Sequence, residues 1–242
     1  QSAYQGSLFG GSEWGSGQVG GAVYFDGSGD SINTADIDEL DGTQHFTISV
    51  WAKPESFSDW CQIFVKYNSA SNYVALMHTG STVGGQDGIL GVVANGGNTY
   101  GYTPPGTLPL GEFSHITMTY DGPQAGNSGK LKLYYNGAVQ TLAFNGTIPS
   151  ISASNSNTAE IGIRSGSNYP YNGTLDEVAV WSRTLEPLEV LRLAGASKMD
   201  ITINNSAIAT ITKTMNARSF TQNAGTVTAS DDVRINNNIN IN

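Results

Sequence analysis

The chain carries one cysteine, Cys61, in 242 residues, so no internal disulfide can staple the fold. Charge is scarce too. Asp, Glu, Lys and Arg make up 13% of the chain, about half the usual share of ~25%, which excludes a coiled coil and a charge-rich disordered segment. Basic residues are the scarcer sign: 11 Lys and Arg stand against 20 Asp and Glu, for a net charge of −9. That deficit argues against nucleic acid, whose phosphates need a basic face. No apolar run approaches the ~18 residues of a membrane span. The histidines His45, His78 and His115 are scattered, and with one Cys they give no zinc-ligand spacing. Cys61 lies between Trp60 and Ile63 with no catalytic partner pattern, and reads as a buried thiol. No secretory leader is visible in the chain, which starts at Gln1 without a Met, so a processed or trimmed product is the expectation.

What the chain has instead is glycine and strand periodicity. Gly occurs 30 times, about 12% against a usual ~7%. Phe46-Thr47-Ile48-Ser49-Val50-Trp51-Ala52 and His115-Ile116-Thr117-Met118-Thr119-Tyr120 alternate apolar and polar residues, the period of a strand. Residues 130–142 predict a hairpin about Asn136-Gly137, the preferred pair for a two-residue turn. Only Glu186 to Ala194 reads as helix, with Gly195 as its stop. Many short strands and one helix predict an all-β, two-sheet antiparallel jelly-roll sandwich over residues 1–197. Phe25, Trp51, Tyr135 and Trp181 are expected to fill the space between its sheets. Residues 198–242 change texture to Asn, Thr and Ile, with strand alternation at 201–203, 207–212, 225–228 and 233–241. They predict either an arm that docks or assembles, or an extra hairpin on the same domain.

Four segments in order resemble the laminin-G-like modules of the concanavalin A-like lectin/glucanase superfamily. They are Val19 to Gly27 with Asp30; Phe46 to Pro54; Phe113 to Gly122 followed by Leu131 to Gly137; and Gly173 to Leu185 followed by Glu189, Val190 and Leu193. The resemblance covers about residues 6–195. Phe113 stands where the family usually has Trp, and the family's first strand, normally before Gly6, is missing. Nothing in the pattern accounts for residues 198–242. The resemblance implies two antiparallel sheets bent so that one face is concave.

Candidate chemistry lies in turns and loops. Asp26 and Asp30 flank Gly27-Ser28-Gly29, a turn able to bring two hard carboxylates onto one cation, or to satisfy backbone N–H groups. Modules of this family often carry a structural calcium, and the resemblance implies Asp176 as a third ligand. The acidic run Asp36, Asp38, Glu39, Asp41 lacks the alternating Glu residues of a jelly-roll glycosidase and reads as a solvated loop. Sugar-binding surface is expected where loop aromatics stand beside amides. Asn168, Tyr169, Tyr171 and Asn172 form one such cluster, Tyr100 and Tyr102 a second, and Trp60 beside Asp59 a third.

These observations point to a non-catalytic module exposed outside the cell or on a particle surface, binding glycan or a surface protein. The alternative is a structural subunit of a fibre, surface layer or virion that self-associates through residues 198–242.

Overall fold

The computed structural model describes residues 5–83, 85–165 and 168–195, with the backbone of strands 199–203, 209–211, 215–222, 227–229 and 233–241. It comprises two units, Gln1–Pro187 and Leu188–Asn242.

The first unit is the sandwich. Its strands are β1 (Gly6–Phe9), β2 (Glu13–Ser16), β3 (Gly21–Asp26), β4 (Ser31–Asp36), β5 (His45–Pro54), β6 (Gln62–Ser69), β7 (Asn72–His78), β8 (Ile89–Asn95), β9 (Tyr100–Tyr102), β10 (Ser114–Asp121), β11 (Leu131–Tyr135), β12 (Ala138–Val139), β13 (Ala143–Asn145), β14 (Thr158–Ile161) and β15 (Asn172–Trp181). Eight form one sheet in the order β1-β4-β14-β6-β7-β8-β9-β13, and seven form the other in the order β12-β11-β10-β5-β15-β3-β2. Every pairing in both sheets is antiparallel.

Alternation decides the core. On β5, Phe46, Ile48, Val50 and Ala52 face inward and meet Ile116, Met118 and Tyr120 of β10 in one buried cluster with Phe25, Phe64, Val74 and Leu76. Two of the four aromatics expected in that core lie elsewhere. Trp51 is paired with His115, and Trp181 with Thr47, on the opposite face of the seven-stranded sheet. Parity is the reason: a residue one step from Val50 must point the other way. Phe25 is fully buried in the core and Tyr135 packs at its margin.

Local chemistry explains the turns. The β11–β12 hairpin turns on Asn136 (φ 47°) and Gly137 (φ 82°), both left-handed as a type I′ turn requires. A register break between Asp176 and Ala179 on β15, with Glu177 at φ 50°, is a bulge. It turns Val178 and Val180 back toward the core after Leu175. The helix α1 (Gly126–Lys130) in the β10–β11 connection has no apolar stripe to announce it. The helix α2 (Pro187–Leu193) matches the predicted one to within a residue at each end.

In the second unit, β16 (Met199–Ile203), β18 (Met215–Gln222) and β20 (Val233–Ile241) form one parallel sheet, and β17 (Ala209–Ile211) and β19 (Val227–Ala229) another. Met199 lies opposite Ala217 and Met215 opposite Val233, so neighbouring strands of this sheet lie side by side in parallel. A hairpin would pair antiparallel, so the hairpin reading of this segment does not hold among the described residues.

Candidate functional site

The outward face of the eight-stranded sheet is apolar where solvent would be expected. Val65 on β6, Tyr73, Ala75 and Met77 on β7, and Leu90, Val92 and Ala94 on β8 form a second buried cluster, separate from the core between the sheets. Register explains its shape. Val65, Ala75, Val92 and Tyr100 lie side by side across four strands, and Met77, Leu90 and Tyr102 form the adjoining row. The middle of the face is therefore a floor of small side chains, roofed and flanked by larger ones. Trp60, Tyr67, Val83, Tyr100 and Tyr102, all partly buried, pack against it.

Tyr67 and Tyr73 meet edge to face at 5.4 Å on one flank, and Tyr100 and Tyr102 lie 6.1 Å apart on the other. β7 and β9 are two strand steps apart, roughly 10 Å, so the two aromatic groups stand on either side of the floor. The Arg164 guanidinium lies 4.6 Å over the Tyr67 ring and 4.4 Å over the Tyr169 ring, joining a loop to the first flank by cation–π contact. The Tyr73 hydroxyl donates to Asn98 Oδ1 at 3.1 Å, and burial pushes its pKa up to about 12. Burial also raises the Tyr100 pKa, so these phenols are neutral donors and acceptors at pH 7.

Two rim residues are held in a backbone region that bulky side chains rarely adopt. Trp60 has φ 63° and Tyr169 φ 57°, at a cost of order 1–3 kcal/mol each. One residue, Gln62, secures both. Its backbone N–H donates to the Tyr169 carbonyl at 2.9 Å, and its side-chain Nε2 donates to the Trp60 carbonyl at 2.7 Å. Gly80 leaves the space the indole occupies, since a Cβ there would lie 2.4 Å from the Trp60 ring. Paired backbone hydrogen bonds between Arg164 and Asn168, at 2.9 and 3.0 Å, close the turn that presents Arg164 and Tyr169.

Thus Trp60, Tyr100, Tyr102 and Tyr169, which are distant in sequence, belong to one face, and Asn168 is exposed at its margin. Tyr171 does not join them. It is buried in the core between the sheets, edge-on to Phe25 at 6.2 Å and to His78 at 5.4 Å. The left-handed turn at Tyr169 and the fixed φ of Pro170 send the two tyrosines to different layers. Asn172 is also structural: it opens β15 opposite Asp26 and donates through Nδ2 to Ser56 Oγ at 2.9 Å. Tyr67, Tyr73, Arg164 and Gln62 were not singled out from sequence. Strand parity could have found the first two, because Val65 and Tyr67, then Tyr73, Ala75 and Met77, alternate onto the outward face.

The three carboxylates expected to share calcium do not converge. Asp30 accepts N–H groups from Gly11 at 2.5 Å and Asp26 at 2.9 Å, while Asp26 accepts Ser28 N–H at 2.7 Å. This is the backbone-satisfying turn. Asp26 lies opposite Asn172, so Asp176 is roughly 13 Å further along β15 at ~3.3 Å per residue. There it accepts Val19 N–H at 2.8 Å and ties down the β2–β3 turn. Among the described residues, the carboxylates that do come together are Asp36, Asp38 and Asp41, with ligand oxygens within 4.8 Å of one another. Its positive charge is supplied from within: Lys66 of β6, 1% exposed, places Nζ 2.5 Å from both Asp36 and Asp41. The run is thus an ion-pair anchor on one side, and of the three only Asp38 is exposed.

The fold defines a jelly-roll sandwich with a tyrosine-flanked face. Residues 26–191 match the concanavalin A-like lectin/glucanases superfamily, and the chain belongs to it. No curated protein sequence matches. Among solved structures, the chain resembles domain 4 of AbnA, a GH43 extracellular arabinanase from Geobacillus stearothermophilus solved with arabinotriose. Identity is 20% and the TM-score 0.58, covering 77% of this chain and 82% of that one. It also resembles the binding domain of Paraclostridial Mosquitocidal Protein 1, at 14% identity and TM-score 0.60 over 80% of this chain and 47% of that one. The botulinum neurotoxin serotype G binding domain matches at 11% identity and TM-score 0.57, over 80% and 46%. The chain spans less than half the length of these two toxin domains. At such identities the likeness is one of fold. Among the described residues, no helix is long and apolar enough to cross a membrane.

Proposed function

We propose that the sandwich is a non-catalytic recognition module that binds glycan across the outward face of its eight-stranded sheet. One observation carries this reading: aromatic side chains from three separate stretches of sequence converge on a shared apolar floor, and Arg164 joins Tyr169 to them. Sugar rings present apolar C–H faces that stack on aromatic rings, while their hydroxyls need neutral donors and acceptors such as the tyrosine hydroxyls. The span between the flanks suits an oligosaccharide longer than a single ring. A jelly-roll relative solved with arabinotriose supports sugar as the ligand class. The setting read here is extracellular or on a particle surface, in keeping with a relative that is a domain of an extracellular arabinanase. Affinity electrophoresis through gels containing arabinan, xylan, galactan or glucomannan tests this: at least one polymer retards the protein, and Tyr100→Ala with Tyr102→Ala releases it. If no polymer retards the protein, the reading fails.

A second reading, assembly through residues 198–242, is favoured by the stacked parallel strands of the second unit. Parallel strands present sheet edges that a neighbour can extend. Light scattering of the full chain beside a 1–197 truncation tests it: only the full chain forms oligomers if the arm assembles, and equal monomeric masses contradict it.

A further inference from the structure

Lys66 is an amine in an unusual position. Lysine is almost never fully buried unless paired, and here Nζ sits between two carboxyl groups that hold it differently. Asp41 Oδ2 is a directed hydrogen-bond acceptor for Nζ, and its Oδ1 is fixed by Asn155 N–H at 3.1 Å. The Asp36 contact is as short, 2.5 Å, but it lacks hydrogen-bond geometry, and Asp36 Oδ1 is buried without any hydrogen-bond partner. The nitrogen therefore stands against the Asp36 carboxyl group outside hydrogen-bond geometry. Ile37 O accepts from the same nitrogen at 3.3 Å and helps hold it in place. Asp36 ends β4 and Lys66 lies on β6, with β14 between them: Thr158 pairs with Asp36, and Ala159 with Lys66.

We propose that Lys66 and Asp36 condense into an intramolecular amide that staples β4 to β6 across β14, with Asp41 relaying the protons. The lysine nitrogen forms a bond to Cγ of Asp36, and one Cγ–O bond of Asp36 breaks. Two of the three ammonium protons pass through Asp41 to the departing oxygen, which leaves as water. The third stays on the amide nitrogen, and Asp41 ends as the carboxylate it began. No oxidant, cofactor or activated intermediate is needed. Fixed proximity supplies the driving advantage, since well-oriented intramolecular partners reach effective molarities of about 10^5 M or more. The burial of Lys66 keeps bulk water from the amine.

Intact-mass spectrometry of the purified full chain is the test. The protein is expected to be lighter than its sequence by one water, and digestion to yield a branched peptide joining the stretch containing Asp36 to the stretch containing Lys66. Lys66→Arg restores the full mass, and Asp41→Asn slows conversion at least tenfold. A wild-type protein at full sequence mass after prolonged incubation overturns the proposal. So does a water loss that persists in Lys66→Arg, which would place it at a cyclised Asp-Gly step such as Asp41-Gly42. The wild-type measurement decides the matter even if a variant fails to fold.

Discussion

The two outward faces of the sandwich obey one periodicity and arrive at opposite ends. On the seven-stranded sheet, Thr47, Ser49, Thr117 and Thr119 point outward beside Trp51 and His115, and all are buried. The protein's own backbone closes part of this face: Thr47 Oγ1 donates to Arg183 O at 2.9 Å and accepts Leu185 N–H at 2.9 Å. On the eight-stranded sheet, the outward floor of Val65, Ala75, Val92 and Ala94 is covered by partly buried side chains, the aromatics Trp60, Tyr67, Tyr100 and Tyr102 together with Val83. A face capped by backbone hydrogen bonds contributes stability. A face roofed by side chains that still meet solvent is the one the proposed glycan binding uses.

The sharpest way to break this contrast is to truncate one aromatic on each face. Trp51→Ala removes a side chain packed on His115 at 5.1 Å and should cost about 3 kcal/mol of unfolding free energy, read by urea denaturation, with glycan affinity unchanged. Tyr100→Ala should do the reverse, lowering affinity about tenfold, or ~1.4 kcal/mol, with a smaller change in stability. If Trp51→Ala abolishes binding in a folded protein, the faces have been assigned the wrong way round.

Acid sharpens the comparison next. Burial lowers the pKa of His78 and of His115 to about 4 from 6.5. The unfolded chain then takes up protons below 6.5 that the native protein refuses until about 4. Stability is therefore flat above pH 6.5 and falls between 6.5 and 4, by roughly 2–3 kcal/mol per histidine. His115→Gln, on the closed face, should flatten part of that slope in urea titrations at several pH values; an unchanged slope would show that His115 is not the proton acceptor. The smallest effect expected is that of calcium. Asp26, Asp30 and Asp176 are each engaged by backbone N–H groups, so calcium and EDTA should leave the melting temperature within a degree or so, against the several degrees that ~1 kcal/mol produces in a domain.

Much of the fold was legible from period-2 alternation and turn chemistry. The Asn136-Gly137 hairpin, the β5 and β10 strands and α2 all follow from local sequence. Parity also placed Trp51 with Thr47 and Ser49, yet bulk and hydrophobicity suggested the core instead; the pleat prevails because adjacent residues cannot share a face. The site was legible in parts only. Trp60, Tyr100, Tyr102 and Tyr169 stood out as loop or near-loop aromatics, but their meeting depends on register across β6 to β9, which no single segment encodes. Tyr171 misled because the left-handed turn at Tyr169 reverses the local direction of the chain. Lys66 was silent, since a lysine in an apolar strand gives no hint that Asp36 and Asp41 will close over it.

The most direct test of the central claim is to measure glycan retardation for the wild type, the Tyr100→Ala/Tyr102→Ala variant and Trp51→Ala side by side in the same polysaccharide gels. The polymer that retards the wild type should retard Trp51→Ala equally and let the double tyrosine variant run free. Retention of the double variant together with release of Trp51→Ala would contradict that claim.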